Sequence, residues 1–298
     1  MLGTMELATE CVPCILKTRT AEVGALVRDP AARRRCLAIL LEEAARVLRE
    51  GCTTPPELST PLFRKLKELA GSADPYEKVK KEANRAALEI YRELREAMEC
   101  AGEEERLELA IRASLAGNSI DVGVSDYRFP VADLRRELGR VELAVDDTRV
   151  LERVRGRLVV FLLDNCGEAV LDRLLAEELS RRGARVVAVV KSGAFQNDVT
   201  IYDSRDAGLG ESFEEVVGTG TDAASVFLNE AREDVLELLE RADLVVAKGM
   251  AHYEYLSEVG ERLRTPILYM LKAKCEVVAR SLSVPKGSYV AKLARAQK

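Results

Sequence analysis

Histidine and tryptophan are the residue types that this 298-residue sequence lacks most: it contains no tryptophan and a single histidine, His252. A single imidazole excludes zinc fingers with paired histidines, two-histidine metal motifs on a helix and any other site that needs two imidazoles. If the protein is an enzyme, its ligands and proton carriers must therefore come mainly from carboxylates, amides, lysines and cysteines.

The sequence also lacks an excess of positive charge, since 45 Lys and Arg face 50 Asp and Glu, for a net charge of −5. This balance argues against a nucleic-acid binder held by diffuse basic electrostatics. No apolar run approaches the ~20 residues of a membrane span, and the N-terminus lacks the apolar core of a signal peptide. Seven cysteines, an odd number, indicate mostly reduced thiols. We therefore expect a soluble cytoplasmic protein that binds neither nucleic acid nor membranes.

The first part of the chain has a helical pattern. Gly51 is suited to the C-cap of one predicted helix, while Asp74 and Pro75 are suited to the N-cap and first residue of another. Apolar residues recur at three- and four-residue steps in four segments, 14–27, 31–50, 76–100 and 103–116. This pattern predicts a helical domain over residues 1–116.

The pattern changes to short continuous apolar runs after about residue 140, as expected of strands that are buried on both faces. Helical patterns lie between some of these runs, at 168–182 and 225–241. The predicted strands are 157–163, 186–190, 244–247 and 267–271. Alternating strands and helices predict an α/β domain with a mainly parallel sheet over residues 117–298, with the boundary somewhere in 117–156.

Polar side chains follow the predicted strands at their carboxyl ends, where open parallel sheets bind ligands. Asp164, Asn165 and Asp198 would offer two carboxylates and an amide oxygen, which are ligands favoured by Mg²⁺ or Mn²⁺. Two carboxylates neutralise one divalent ion, so a bound phosphate would need further positive charge. Lys248 and Lys272 could supply that charge. The sequence therefore favours a metal site beside a phosphate site.

Each of these residues also has a purely structural interpretation. Asp164 or Asn165 could cap the helix that follows, and Asp198 could begin the next one. In the functional interpretation, backbone N–H groups near Gly167 would help to bind the phosphate, and Glu168 would orient or deprotonate a water molecule. The convergence of several segments at one edge of the sheet favours function.

At these positions the sequence resembles the damage-control phosphatases, metal-dependent enzymes long catalogued as a domain of unknown function. Within that family it is similar to the archaeal and bacterial branch that carries a CxxC near the N-terminus. The matching motifs are, in chain order, Cys11-Val12-Pro13-Cys14, Asp74-Pro75-Tyr76 with Lys80 and Asn84, Gly117-Asn118-Ser119-Ile120-Asp121, Asp164-Asn165-Cys166-Gly167-Glu168, Asn197-Asp198-Val199-Thr200, Lys248-Gly249 and Leu271-Lys272-Ala273-Lys274-Cys275.

The resemblance implies a helical region packed on a Rossmann-like α/β/α domain that hydrolyses phosphate monoesters of small metabolites, often sugar phosphates or damaged phosphometabolites. It implies that a divalent ion (Mg²⁺, Mn²⁺, Co²⁺ or Ni²⁺) is held by Asp164, Asn165 and Asp198. The implied catalytic residues are Asp164, Glu168 and Lys272, and the implied substrate-binding residues are Asn118, Asp121 and Lys248.

Two positions depart from the family pattern. Cys166 replaces a small residue such as alanine, and His252 replaces a residue that is usually asparagine. We expect His252 to contact the substrate and tune specificity, although a capping or packing role is the alternative. Lys80 and Asn84 lie one helical turn apart and share a face, which is either solvated or turned towards the active site.

The Cys11–Cys14 pair could bind a metal, take part in redox chemistry or simply pack. A complete structural zinc site needs four ligands, and no second CxxC exists. A thioredoxin-like role is unsupported, because the motif does not follow a strand in a βαβ pattern. A structural or auxiliary role is therefore favoured.

Three other functions compete with the metal-dependent phosphatase. A methyltransferase that uses S-adenosylmethionine would favour a glycine-rich turn after the first strand, where only Gly167 is found. A phosphatase that forms a phospho-aspartate at Asp164 would need a second aspartate at the position of Cys166. A non-enzymatic regulator would use the same polar groups only to bind metal or phosphate.

Overall fold

A computed structural model describes residues 5–118 and 131–294 of the chain as a mixture of helices and strands. The helices are α1 Cys11–Leu26, α2 Pro30–Glu50, α3 Pro55–Ala70, α4 Glu77–Cys100, α5 Glu103–Gly117, α6 Val131–Leu138, α7 Glu168–Arg181, α8 Glu233–Arg241, α9 Gly249–Val259 and α10 Glu276–Leu282. The strands are β1 Leu143–Asp146, β2 Leu158–Leu162, β3 Arg185–Val190, β4 Glu215–Gly218, β5 Leu244–Lys248, β6 Ile267–Lys272 and β7 Tyr289–Ala294.

The strands form one sheet in the order β1-β7-β6-β5-β2-β3-β4. Every neighbouring pair is parallel except β6 and β7, which are antiparallel. The prediction of an α/β fold with a mainly parallel sheet is therefore confirmed. From β2 the chain builds outwards through β3 and β4, and then returns to add β5 and β6 on the other side. This reversal places a crevice at the carboxyl ends of β2 and β5, the usual ligand site of such sheets.

Both faces of the sheet are covered, which explains the continuous apolar runs in its strands. Along β2, Val159 and Phe161 pack with residues of α4, α5 and α7. The alternate residues Val160 and Leu162 pack on the opposite face with residues of α8, α9 and α10. The two-residue alternation of a strand thus divides β2 between two cores.

Helices α1, α2 and α3 form a third core, which includes Phe195 and Ala224 from the α/β part of the chain. Phe63 on α3 contacts Phe195 edge-on, with the ring centroids 5.1 Å apart. Helices α4 and α5 instead share a core with the sheet. Residues from both sides of position 117 therefore pack together in shared cores. The predicted division of the chain at this point stays a prediction.

One predicted helix end is confirmed, one is wrong, and one helix was not predicted. Gly51 ends α2 in the left-handed conformation, as predicted, with φ of 87°. The predicted start of α4 at Pro75 is wrong, because the helix begins at Glu77 with Tyr76 as its N-cap. In the turn before the helix, the Asp74 carboxylate accepts a hydrogen bond from the Tyr76 N–H and pairs with Lys80. Helix α3, which the apolar periodicity did not predict, begins with a capping box at Thr54.

The predicted helix over 225–241 is also wrong in its first half, since α8 begins only at Glu233. In the preceding turn, the Ser225 hydroxyl contacts His252 and the Leu228 N–H donates to the Tyr255 hydroxyl. These contacts with α9 satisfy polar groups that a helix would otherwise engage. In the two described ranges, no helix has the length and apolar character needed to cross a membrane.

Candidate active site

The two segments that carry the predicted metal ligands pair with each other through their backbones. Asn165 and Asp198 form an isolated antiparallel bridge. Beside it, the Val199 N–H donates to the Asp164 carbonyl at 2.8 Å. The structure therefore brings the predicted ligands Asp164, Asn165 and Asp198 together at the carboxyl end of β2.

Two amide side chains bridge the carboxylates of this cluster. Asn118 Nδ2 lies 3.2 Å from Asp164 Oδ2 and 3.0–3.1 Å from the two oxygens of Glu168. Asn165 Nδ2 donates to Asp164 Oδ2 at 2.8 Å and to Glu168 Oε2 at 3.1 Å. Asn118 Oδ1 in turn accepts from the Lys272 N–H at 3.0 Å, which fixes the amide of Asn118. Because the Asn165 nitrogen faces carboxylates, its oxygen is the atom that a cation would take.

Burial disfavours the charged forms of Asp164 and Asp198 in this cluster. Burial raises the pKa of Asp164 well above its ordinary value, and the charges of Asp198 and Glu168 raise it further. Burial also raises the pKa of Asp198 to about 7. Among the described residues, Asp198 Oδ2 has no hydrogen-bond partner, and Lys191 Nζ is 3.6 Å away. A buried carboxylate oxygen of this kind is costly unless a cation or donor satisfies it.

The donor set fits a hard divalent cation. Asp164 and Asp198 supply two carboxylates, and Asn165 supplies an amide, so every donor is an oxygen. In the part of the chain that the structure describes, no group of three or more His, Cys, Asp or Glu side chains is placed to hold a metal ion. The candidate set therefore depends on the amide as its third member. It is supported by Asp198 Oδ2, which has no hydrogen-bond partner among the described residues and whose ion-pair partner, Lys191 Nζ, is 3.6 Å away.

Lys248 lies beneath the site with its ammonium group fully surrounded by acceptors. Its Nζ contacts both the carbonyl and the hydroxyl of Ser114 at 2.8 Å, Asp172 at 2.9 Å and Glu168 at 3.1 Å. Burial opposes the charge on Lys248, but the charges of Asp172 and Glu168 raise its pKa overall. These contacts engage Lys248 inside the protein, and the predicted contact with phosphate stays a prediction.

Lys272 lies on the α6 side of the site. Its Nζ donates to Glu137 at 2.8 Å and lies 4.8 Å from the ring centroid of Tyr289. The side chain is 21% exposed, so it is accessible from one side. The backbone N–H of Lys272 is linked to the site by its hydrogen bond to Asn118 Oδ1. The catalytic role of the Lys272 ammonium group stays a prediction.

Lys191 is a charged residue beside the site that the sequence reasoning did not select as a site residue. It comes directly after β3, and Lys248 is the last residue of β5, so the strand-end rule was a signal that could have identified Lys191. Its Nζ is buried, donates to the Ala224 carbonyl at 2.8 Å and faces Asp198. Burial lowers the pKa of Lys191, although the charges of Asp198 and Asp164 oppose this shift.

Both ring nitrogens of His252 are used inside the protein. Nδ1 lies 3.0 Å from the Ser225 hydroxyl, and Nε2 lies 3.4 Å from the carbonyl of Leu163, the residue before Asp164. Burial, together with the charge of Lys191, holds the pKa of His252 well below its ordinary value, so the ring is neutral. The ring thus supports the backbone beside Asp164, and the predicted contact with substrate stays a prediction.

The remaining predicted residues are Cys11, Cys14 and Asp121. Cys11 is buried and Cys14 is exposed at the start of α1, and both are free thiols. Burial and the nearby charge of Glu254 raise the pKa of Cys11 to about 11, which opposes thiolate chemistry. Their structural or auxiliary role stays a prediction. Asp121 lies outside the described residues.

Comparisons with known proteins agree with these observations. Residues 7–290 match the family model of the damage-control phosphatase ARMT1-like domain. The chain is 32% identical over 295 residues to a damage-control phosphatase from Archaeoglobus fulgidus, with 97% of this chain and 99% of that protein covered. It is 30% identical over 292 residues to a damage-control phosphatase from Pyrococcus horikoshii, with 96% and 97% covered.

The structural comparison gives the same result. The crystal structure of a DUF89 family protein from Pyrococcus horikoshii is similar to this fold, with a TM-score of 0.84 and 27% sequence identity, and 98% of this chain and 99% of that chain are covered. The resemblance inferred from the sequence motifs is confirmed. The chain belongs to the damage-control phosphatase ARMT1-like family and is a phosphatase-type hydrolase.

Proposed function

We propose that this protein hydrolyses phosphate monoesters of small metabolites, such as sugar phosphates or damaged phosphometabolites, and depends on a divalent metal ion. The observation that carries the proposal is the cluster of Asn165 with the buried carboxylates of Asp164 and Asp198, in which Asp198 Oδ2 has no hydrogen-bond partner among the described residues. Membership of a phosphatase family favours this function over the methyltransferase and over the non-enzymatic regulator.

In this proposal Asp164, Asn165 and Asp198 hold Mg²⁺, Mn²⁺, Co²⁺ or Ni²⁺. A metal ion bound there would supply Lewis-acid polarisation of a phosphoryl oxygen and a water of lowered pKa. The two carboxylates neutralise the ion, and the Asn118 and Asn165 amides keep Asp164 and Glu168 in one orientation. Such preorganisation keeps the ligand oxygens in place before substrate binds.

The remaining site residues have proposed roles around this centre. Glu168, held by two amides and Lys248, would orient the attacking water and accept its proton at a carboxylate oxygen. Lys272 would neutralise charge on the phosphate. Asn118, Asp121 and Lys248 would line the substrate pocket, and His252 would tune specificity through the segment it supports.

The location, the substrate class and the domain organisation of the protein are also proposals. We propose that the protein acts in the cytoplasm on a small phosphorylated substrate rather than on nucleic acid, as its acidic balance indicates. We also propose that residues 1–116 and 117–298 are a helical domain and a Rossmann-like domain whose contact surface is extensive.

A phosphometabolite screen tests the proposed function. Metal-free protein is mixed with sugar phosphates, other phosphate monoesters and p-nitrophenyl phosphate in the presence of Mg²⁺, Mn²⁺, Co²⁺ or Ni²⁺, and released phosphate is measured. We expect metal-stimulated release that EDTA abolishes. Absence of turnover with every pair, together with tight binding of metal or phosphate, would favour the regulator instead.

A further inference from the structure

One face of helix α4 contacts both segments that carry the proposed metal ligands. Lys80 and Asn84 lie one helical turn apart on this face, and both are buried, with exposures of 0% and 2%. Neither residue belongs to the set proposed above to hold the metal or the substrate. Their contacts nevertheless end on the two chain segments on which that set depends.

Lys80 holds the segment that follows Asp198. Its Nζ donates to Asp203 Oδ2 at 2.6 Å and pairs with Asp74 at 2.5 Å. The same oxygen of Asp203 accepts from the hydroxyl of Thr200 at 2.6 Å and from its N–H at 3.0 Å. Thr200 lies two residues after Asp198. A buried ammonium group therefore anchors the turn that carries this ligand.

Asn84 holds the segment that contains Asp164 and Asn165. Its Oδ1 accepts a hydrogen bond from the Gly167 N–H at 2.7 Å. Gly167 adopts φ of 82° between Asn165 and Glu168, at the point where α7 begins. This N–H belongs to the first turn region of the helix and needs a partner when it is buried. Asn84 supplies that partner from a different helix.

We propose that Lys80 and Asn84 are positioning residues that hold the two ligand segments at the spacing required by the metal ion. The inference rests on the proposed function, because it takes Asp164, Asn165 and Asp198 as the ligands. Helix α4 is long and packs on α7, so it provides a rigid support for both segments. Residues that orient ligands in this way affect metal affinity by about 10–100-fold in other proteins.

The first test measures Mn²⁺ binding to metal-free protein by electron paramagnetic resonance of the free ion. The variants are Lys80→Met and Asn84→Leu, which remove the polar contacts but keep the side-chain bulk. The matched controls are Lys81→Met and Arg85→Leu, one residue further along the same helix, where the side chains are 56% and 75% exposed. We expect Mn²⁺ binding to weaken about 10–100-fold in the first pair and to stay unchanged in the controls.

A second variant keeps the inference testable if Lys80→Met fails to fold. Asp203→Asn removes one of the two carboxylate charges that Lys80 contacts and preserves the shape of the side chain, so a folded protein with weakened Mn²⁺ binding is expected. Where both single variants fold, the Lys80→Met/Asp203→Asn double variant should bind Mn²⁺ no more weakly than the single variant with the lower Mn²⁺ affinity. The reason is that both substitutions remove the Lys80–Asp203 contact. Wild-type Mn²⁺ affinity in folded Asn84→Leu and Asp203→Asn would overturn the positioning role.

Asp198→Asn separates failure of this inference from failure of the proposed ligand set. If Asp198→Asn loses Mn²⁺ binding while the α4 variants retain it, the ligand set stands and the positioning role is wrong. If Asp198→Asn binds Mn²⁺ as the wild type does, the ligand set is wrong and the positioning role falls with it.

Discussion

The carboxylate of Asp164 occupies the space in which a side chain at Gly249 would begin. A Cβ atom added to Gly249 would lie 1.8 Å from Asp164 Oδ2, far inside van der Waals contact. Gly249 also adopts φ of 76°, in the left-handed region that glycine tolerates best. The start of α9 at the end of β5 therefore leaves no room for a side chain beside the Asp164 carboxylate.

This close approach predicts that Gly249→Ala displaces Asp164. We expect metal-stimulated phosphatase activity to fall by about 100-fold, the upper end of the effect of disturbing a metal ligand from outside. The measurement is phosphate release as a function of Mn²⁺ concentration. Gly51→Ala is the matched control, because Gly51 has φ of 87° but open space around it. Both variants should lose about 1 kcal/mol of stability from the backbone, and equal activity in both would contradict the steric argument.

A second prediction concerns the buried ammonium group of Lys248. Lys248→Met leaves Glu168 and Asp172 without their shared partner, so we expect the free energy of unfolding in urea to fall by about 3–5 kcal/mol. Asp172→Asn in the same chain should recover part of this loss, because it removes one of the uncompensated charges. A stable Lys248→Met protein with a raised KM would instead support direct contact with the phosphate.

A third prediction uses the carboxyl group of Glu254 on α9, where burial raises the pKa to about 8. The folded protein therefore favours the neutral form. The stability that this group contributes is fully present below its ordinary pKa and is lost as the pH rises through about 8. Glu254→Gln should consequently gain stability relative to the wild type as the pH rises from 5 to 9.

Urea unfolding at several pH values measures this difference. Glu276→Gln is the control, since the side chain of Glu276 is 71% exposed and lies 4.0 Å from Lys286 Nζ. If the difference in unfolding free energy between Glu254→Gln and the wild type is the same at pH 5 and pH 9, the fold does not hold this carboxyl group neutral.

The strand-end rule explains why much of the site could be predicted from the sequence. Parallel strands end at the same edge, so Asp164 just after β2 and Lys248 at the end of β5 had to lie near each other once the strands were identified. Asp198 was harder to place, because it lies beyond β3 in irregular chain. The strand-end rule nevertheless included it in the predicted ligand set, and the family resemblance then implied the same three ligands.

The partners of the charged groups could not be predicted in the same way. The sequence shows that Lys248 follows a strand, but not that Ser114 on α5 and Asp172 on α7 converge on its Nζ. The same holds for Asp74, which resembled a helix cap and instead pairs with Lys80. The contacts of Lys248, and the contact of Lys80 with Asp203, join elements distant in sequence, and local patterns carry no information about them.

The most direct test of the account is Mn²⁺ binding to Asp164→Asn and Asp198→Asn, measured by calorimetry together with phosphate release from p-nitrophenyl phosphate. Asp243→Asn, at the opposite end of β5 and paired with Arg157, is the control. We predict that the two site variants lose Mn²⁺ binding and metal-stimulated release, while the control keeps both. Full Mn²⁺ binding and full activity in Asp164→Asn and Asp198→Asn would contradict the assignment of this cluster as the metal centre.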